Sequence, residues 1–480
     1  MTSWHCPGAV ITVIKEDEVL HQGAYGLRDV EANLPMTPAT RFPIASVTKS
    51  FTAMCVALLV DEGKLEWDTP VRDYAPEFIL DDAYVTQHMT VRDILSHRTG
   101  LPGHFWATDR IDIELTEFVS RMKYLKFNSS FREKWQYNNA LYYALAYLIE
   151  KLSGQTWGDF VQNRILDPLS MTASNFSPQS IEDQEMAEGY RVKRDEDGAF
   201  SAVHHVPFAQ SNRVSLGAAG GLFSTLTDMV TWLKLHMNNG DVKGSKLVSS
   251  ENLRQMHAPQ MVIPVDEESK KAFGLSMASY GMGWFIEPYK GYTLVSHSGE
   301  VEGHTVWVGF VPEEKVSVIT LTNLTHNPLP SALLREGLDR ALNLPSDNWN
   351  AKLHNLIDSG HAKQLESSEK AREIRISDSP MSHPPKDYVG IYEAEGYPDF
   401  AVKFEDDRLR ACTVGGLDWG ELRHYHYDTF EWHVFVYDFW MKFRFSVNVD
   451  GEIDSAFLPL EPAVGDIVFR RKVVDNSEPA

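Results

Sequence analysis

The chain runs to 480 residues, 43% hydrophobic and 23% charged, which excludes disorder over most of its length and provides for more than one small core. Its formal net charge is -22, from 67 acidic against 45 basic residues, so the surface as a whole repels phosphate backbones and anionic lipid; neither nucleic acid nor a membrane is expected as a partner. The three cysteines, Cys6, Cys55 and Cys412, are far apart and odd in number, which excludes a disulfide scaffold and suits reduced thiols in a cytoplasmic protein.

The opening MTSWHCPGAVITVIKED has no basic segment followed by a long apolar run, so it does not read as a secretion signal. No stretch of the chain reaches 18 apolar residues, the length a membrane span needs. Residues 8–27 contain two β-rich runs around the polar Lys15-Glu16-Asp17, a predicted hairpin. Pro43-Ile44-Ala45-Ser46 then leads into VTKSFTAMCVALLVDEGKL, where apolar residues recur at helical spacing and Gly63 falls where a C-cap belongs. Ser46 is therefore expected at the start of a largely buried helix.

Residues 90–170 read as mostly helical. ALYYALAYLIEKLSG predicts a helix from Ala140 ending at Gly154, and WGDFVQNRILDPL another, stopped at Pro168. Residues 180–215 are polar and irregular. The glycine-rich stretch 217–221 precedes the helix DMVTWLKLHM. From residue 280 the pattern changes to four strand-like runs, GMGWFIEP, YTLVSHSG, HTVWVGFVP and VSVITLTN, followed by the helix SALLREGLDRAL. Strands, a helical block, then strands and a helix describe one α+β unit whose sheet is completed from both ends. The charged stretch 346–383 reads as a partly helical linker. The aromatic-rich runs after Pro384-Pro385 predict a small antiparallel β domain, a barrel or a sandwich. The division expected is 1–345, 346–383 and 384–473.

The chemistry is carried by three short signals. A serine hydroxyl is a poor nucleophile until a base lies within hydrogen-bond reach. In Ser46-Val47-Thr48-Lys49 an amine stands one helical turn from the hydroxyl, about 5–6 Å between Cβ atoms. The same spacing occurs at Ser120/Lys123 and Ser367/Lys370, but only Ser46 opens an apolar helix that can bury its lysine. Burial matters because a free lysine, with a pKa of about 10.4, is protonated; lowering it to about 7–8 needs about 4 kcal/mol.

Tyr137-Asn138-Asn139 lies just before the helix at Ala140. A tyrosine there can relay a proton, and Asn139 can hold the lysine and a substrate carbonyl or simply cap the helix. His297-Ser298-Gly299 ends a strand. Glu300 can offer a backbone N–H opposite that of Ser46, completing an oxyanion hole in which each donor is worth roughly a hundredfold in rate. No Cys/His cluster suggests a metal, and no cofactor is expected.

Taken in order, Ser46-x-x-Lys49, Tyr137-x-Asn139 and His297-x-Gly299 resemble the three signature motifs of the serine β-lactamase-like family. That family includes class C β-lactamases, D-stereospecific peptidases and carboxypeptidases, family VIII esterases and acyl transesterases. LSHRTGLPG (95–103), DPLSMTASNF (167–176), AAGGLFSTLTDM (218–229) and YGMGW (280–284) are similar to supporting segments of the family, and the resemblance covers residues 7–345. It implies a β-lactamase/transpeptidase-like antiparallel sheet flanked by helices, with Ser46 as nucleophile, Lys49 and Tyr137 sharing the general-base work, and Asn139 orienting Lys49 and the acyl group. His297 and Gly299 would line the substrate, and Glu300 would contribute to the oxyanion hole.

The chain departs from the family in three places. His297 stands where β-lactamases carry a lysine, which weakens recognition of a substrate carboxylate. Arg98 replaces a small or polar residue. The N-terminal helix that usually covers the sheet is missing from the sequence before residue 8, leaving 331–342 to cover that face alone. DYVGIYEAEGYPDF resembles the opening of a lipocalin-like β barrel, and His424, Tyr425, His426 and Tyr427 are candidates for either the cleft or the barrel rim. The expected activity is serine hydrolysis of amide, peptide or ester bonds in a small-molecule or peptide substrate, D-amino-acid compounds included. The alternatives are acyl transfer, carboxylesterase action on a metabolite, or a non-catalytic binding protein. A homo-oligomer is compatible with the sequence.

Overall fold

The structure is a computed structural model that describes residues 1–108, 113–176, 185–193, 200–207, 217–242, 244–376, 378–413, 419–434 and 439–472. The β-branched run GAVITVIK forms the strand Gly8–Lys15, and the polar turn after it returns the chain as Glu18–Asp29, the expected hairpin. The first strand pairs on its other side with Val316–Thr322, Ala9 opposite Thr322, so the two ends of this unit close one sheet. The sheet has nine antiparallel strands. Their order is Met261–Ile263, Ala278–Tyr280, Phe285–Tyr289, Tyr292–Val301, His304–Val311, Val316–Thr322, Gly8–Lys15, Glu18–Asp29 and Leu34–Pro35.

The central strands are apolar on both faces because helices cover both. Val10, Ile319 and Leu321 join one buried cluster with the helix Leu226–Met237 and the helix Thr48–Asp61. Ile11, Val13 and Val318 join a second with the helix Leu329–Ala341. Alternate side chains of one strand thus serve two cores. The sequence leaves 331–342 to cover the second face alone; the structure shows the helix Leu329–Ala341 sharing that task. Trp4 and the first turn of the helix Trp349–Glu373 share it: Trp349 is buried and donates through Nε1 to Asp339 at 2.7 Å. The apolar signal for that cover was weak because Trp349 and Leu353 are the apolar residues that a largely polar helix buries there.

The helical block is less regular than its sequence suggested. Ala140–Ser153 is a full helix, and Gly154 ends it in the left-handed conformation, φ 73°. The segment read as one helix to Pro168 is a short helix, Trp157–Val161, then a wider π turn, Gln162–Leu166, and a final turn, Asp167–Leu169, that contains the proline. Arg98 has a structural task. It and Arg132 both bond the fully buried Asp93, at 2.6 and 2.8 Å, and hold that carboxyl below its usual range although burial alone pushes it up. Of residues 180–215, the described parts include the paired strands Gly189–Arg191 and His204–Val206; the rest lies outside the described residues.

After the helix Trp349–Glu373, eight strands from Gly390–Glu393 to Gly465–Arg471 close into an antiparallel barrel with each strand beside its sequence neighbours. Tyr392, Phe400, Phe430, Phe443, Phe445 and Phe469 are buried and pack the barrel core. The candidates at 424–427 lie on this barrel at its junction with the preceding segment. There Arg375 donates to the carbonyl of Tyr425 at 3.0 Å, and His424 Nε2 bonds the carbonyl of Tyr427 at 2.8 Å. All three cysteines are free and buried.

Candidate active site

Ser46 is placed by two chain segments that run side by side. The strand Arg41–Pro43 pairs with Phe223–Thr225, and Ile44 N–H donates to Leu222 O at 2.9 Å. The chain then turns sharply: Ala45 has φ 46°, a left-handed conformation that costs an alanine energy and that packing must hold in place. Ser46 follows within a single 3-10 turn, Ala45–Val47, and the α-helix begins at Thr48, two residues later than the sequence implied. The glycine-rich segment anchors this corner. Thr52 Oγ1 donates to Ala218 O at 2.7 Å, and a Cβ on Gly220 would sit 3.5 Å from the backbone of Ala45.

Lys49 is wholly buried. Its Nζ lies 3.2 Å from Ser46 Oγ and donates to Ala219 O at 2.7 Å. It also sits over the rings of Tyr137, at 4.7 Å, and Tyr142, at 5.2 Å. Among the described residues no carboxylate forms an ion pair with it. Burial without a counter-charge holds the amine well below the ordinary lysine pKa, so it favours the neutral form. The serines and lysines of the other two Ser-x-x-Lys pairs are exposed: Ser120 bonds its own helix at Glu117 O, and Lys370 pairs with Glu366.

The Tyr137 hydroxyl stands near Ser46 in a desolvated surrounding, although the residue as a whole is half-buried. Burial pushes the phenol above its ordinary pKa, with the nearby Ser46 opposing that. One environment thus favours a neutral amine and a neutral phenol, both beside the same serine. Asn139 holds the N-cap position of the next helix but makes no cap hydrogen bond, and its Oδ1 is buried without a partner. The capping is done by Asn138, whose Oδ1 accepts from Leu141 N–H at 2.9 Å.

The strand Tyr292–Val301 passes directly behind the Ser46 corner. A Cβ on Gly299 would come 2.2 Å from Ile44 O, so only glycine lets this strand approach. His297 is buried, with both ring nitrogens engaged. Nδ1–H donates to Ser298 O at 2.6 Å, which leaves Nε2 to accept from Tyr280 OH at 2.7 Å. Burial first, and then the nearby Lys49, push its pKa down to about 3. His297 is therefore a neutral wall rather than a second cation. The Glu300 carboxylate faces away along the surface, accepting from His326 N–H at 3.2 Å and pairing with the His326 ring.

His97, within the LSHRTGLPG segment, shows no role in the sequence alone. It brackets Tyr137 from both sides: Gln136 N–H donates to His97 O at 2.8 Å, and Asn138 N–H donates to His97 Nδ1 at 3.2 Å. Its ring lies 4.4 Å from that of Tyr137, and burial holds it neutral, with Lys49 and His297 adding to the effect. Tyr142 and Tyr280 complete this aromatic wall, Tyr142 OH donating to Leu95 O at 3.0 Å. Among the described residues no three His, Cys, Asp or Glu side chains gather as a metal site, and no helix is long and apolar enough to cross a membrane.

An antiparallel sheet between helices, with a serine and a buried lysine one turn apart at the head of the central helix, has the architecture of the serine β-lactamase-like class. The chain belongs to the Beta-lactamase family, whose model matches residues 1–342; residues 375–471 match a domain of unknown function, DUF3471. Among curated proteins it is similar to the unguisins hydrolase ungD' of Aspergillus campestris, 27% identical over 429 residues, 84% of this chain and 76% of that protein. It is also similar to Protein flp of Staphylococcus aureus, 24% identical over 68% of this chain and 61% of that protein. Among solved structures, the octameric penicillin-binding protein homologue from Pyrococcus abyssi superposes with a TM-score of 0.62 at 25% identity, covering 98% of this chain and 97% of that one. The D-amino acid amidase from Ochrobactrum anthropi SV3 shares the fold at 22% identity, TM-score 0.55, over 71% of this chain and 94% of that one.

Proposed function

We propose that this chain is a serine hydrolase that cleaves amide or ester bonds through an acyl-enzyme on Ser46. One observation carries the reading: a buried lysine amine, paired with no carboxylate among the described residues, lies 3.2 Å from Ser46 Oγ and 4.7 Å from the ring of Tyr137, whose desolvated phenol stands beside the same serine. Family membership and the hydrolase relative support it.

The steps follow from which groups start neutral. Ser46 Oγ bonds the substrate carbonyl carbon, and its proton passes to Lys49 Nζ, directly or across the Tyr137 hydroxyl. The N–H groups of Ser46 and Glu300 stabilise the oxyanion. As the tetrahedral species collapses, the bond to the leaving amine or alkoxide breaks, and the lysine–tyrosine pair returns the proton to it. Water repeats the sequence on the acyl-serine and releases the acid. In the same reading Asn139 Oδ1 awaits a donor from Lys49 or substrate, and His297 and Gly299 line the acyl group. Residues 1–345 form the catalytic unit, 346–383 the connection and 384–473 the barrel.

Because His297 is neutral and its nitrogens are already engaged, we place peptide and amino-acid amides ahead of substrates that must present a free carboxylate. The test is a panel of p-nitrophenyl esters, D- and L-aminoacyl anilides and a chromogenic cephalosporin, run with the natural chain and with Ser46→Ala. Turnover of an anilide or ester that disappears in Ser46→Ala is expected. Turnover that survives the substitution, or none from well-folded protein, would overturn the proposal.

A further inference from the structure

The loop from His97 to His104 grips the Tyr137 segment on one side and the C-terminal barrel on the other. Toward Tyr137 the contacts are the His97 bracket, the bond from Asn138 Nδ2 to Pro102 O at 2.5 Å, and Gly103, where a Cβ would lie 3.4 Å from Tyr137 O. Toward the barrel, His104 N–H donates to Glu461 Oε2 at 2.8 Å. Tyr397 OH donates to His104 Nδ1 at 2.6 Å, and the opposite ring nitrogen donates to Lys126 O at 2.9 Å, which fixes the neutral tautomer. Gly103 is the narrow point: its Cβ position is also only 3.7 Å from Glu461 Oε2. Just beyond, the Trp106 ring lies 5.8 Å from that of Trp432 on the barrel.

We infer that Glu461 and Tyr397 are positioning residues for Tyr137, acting through His104 and Pro102–Gly103, so that the barrel sets the geometry of the reaction centre. The inference rests on the role proposed above for Tyr137. His104 itself has a left-handed backbone, φ 43°, a conformation that needs outside support, and the barrel supplies it at both the N–H and the ring. Nothing local substitutes for these bonds, because their partners are 357 and 293 residues away in the chain. Loss of the clamp lets the loop relax and shifts the phenol relative to Ser46, and misplacement by about 1 Å can cost on the order of a hundredfold in rate.

The test is a double-mutant cycle on turnover. Glu461→Ala is expected to lower kcat by between about tenfold and about a hundredfold with KM changed less than about twofold. Glu461→Gln, which keeps an acceptor oxygen, should restore most of the rate. In a Tyr137→Phe background Glu461→Ala should cause little further loss, because both changes act on the same step. Where Glu461→Ala does not fold, Tyr397→Phe, which removes one hydroxyl, takes its place in the cycle. Full kcat in Glu461→Ala, or an equal fold-loss in both backgrounds, would overturn the inference while leaving the serine hydrolase reading intact. Full activity in Tyr137→Phe alone would overturn the role given to Tyr137 and this inference together, with the direct Lys49 route left standing.

Discussion

Replacing Lys49 by methionine tests the state of the buried amine through stability as well as rate. In the unfolded chain this lysine has a pKa of about 10.4 and is protonated at pH 7; in the fold, burial, with no carboxylate paired to it among the described residues, holds its pKa well below that and favours the neutral form. The unfolded state therefore binds more protons, and the wild type gains stability as pH rises toward 10.4. At pH 7 the forced deprotonation opposes folding by up to about 4–5 kcal/mol. Methionine fills similar volume with no such cost. It forfeits the amine's bonds to Ser46 and Ala219 O, worth about 1 kcal/mol each, and leaves that carbonyl unbonded. The net expectation is a gain of about 1–3 kcal/mol at pH 7, shrinking by up to about 1.4 kcal/mol for each pH unit above it. Urea unfolding of both proteins at pH 7, 8 and 9 measures this, while turnover of the variant should fall by orders of magnitude. A variant less stable than the wild type by the same amount at every pH would mean that the amine is charged in the fold, and the argument would fail.

Further consequences follow from the same geometry. Tyr137→Phe keeps the ring but removes the hydroxyl beside Ser46, so kcat should drop by about 10²–10⁴ with an unchanged unfolding midpoint. Gly299→Ala places a methyl 2.2 Å from Ile44 O, which is backbone and cannot swing aside; the strand must retreat, and covalent capture of Ser46 by a fluorophosphonate should slow at least tenfold (roughly 1–3 kcal/mol of overpacking). The buried His297 and the half-buried His257 are both pushed down to about 3 by desolvation, so the unfolded chain binds more protons between pH 3 and 6.5. In Lys49→Met, where the lysine's own pH dependence is gone, stability should be flat near pH 7 and fall as pH drops below 6.5; a urea midpoint of that variant unchanged from pH 7 to pH 4 would refute those neutral histidines.

What the sequence made legible was local or periodic. The hairpin after residue 8, the buried helix that takes Lys49 with it, the glycine stop at 154 and the barrel strands all follow from spacing within a few residues. Ser46 and Lys49 are found the same way because they share one turn. The features that escaped are pairings between distant segments or choices between equal neighbours. Asn138 and Asn139 are the same residue type one position apart, and only the fold reveals that the first caps the helix while the second is left with a free oxygen. His97 acts on residues about forty positions onward, and a histidine in a turn carries no sign of that partner. Arg98 stood out as a departure from pattern, but its meaning depends on its converging with Arg132 on the buried Asp93. The grip of Glu461 on His104 joins two separately folded patterns and leaves no periodicity to detect.

The central claim is that a neutral Lys49 activates Ser46, and the rate of covalent capture of Ser46 by a fluorophosphonate, followed as a function of pH, tests it most directly. The account predicts a rate that climbs through a single acid limb, is level from neutral pH upward to about pH 10, and collapses at all pH values in Lys49→Met. A rate that rises only above about pH 10, as for an ordinary lysine, or that is undiminished in Lys49→Met, would contradict it.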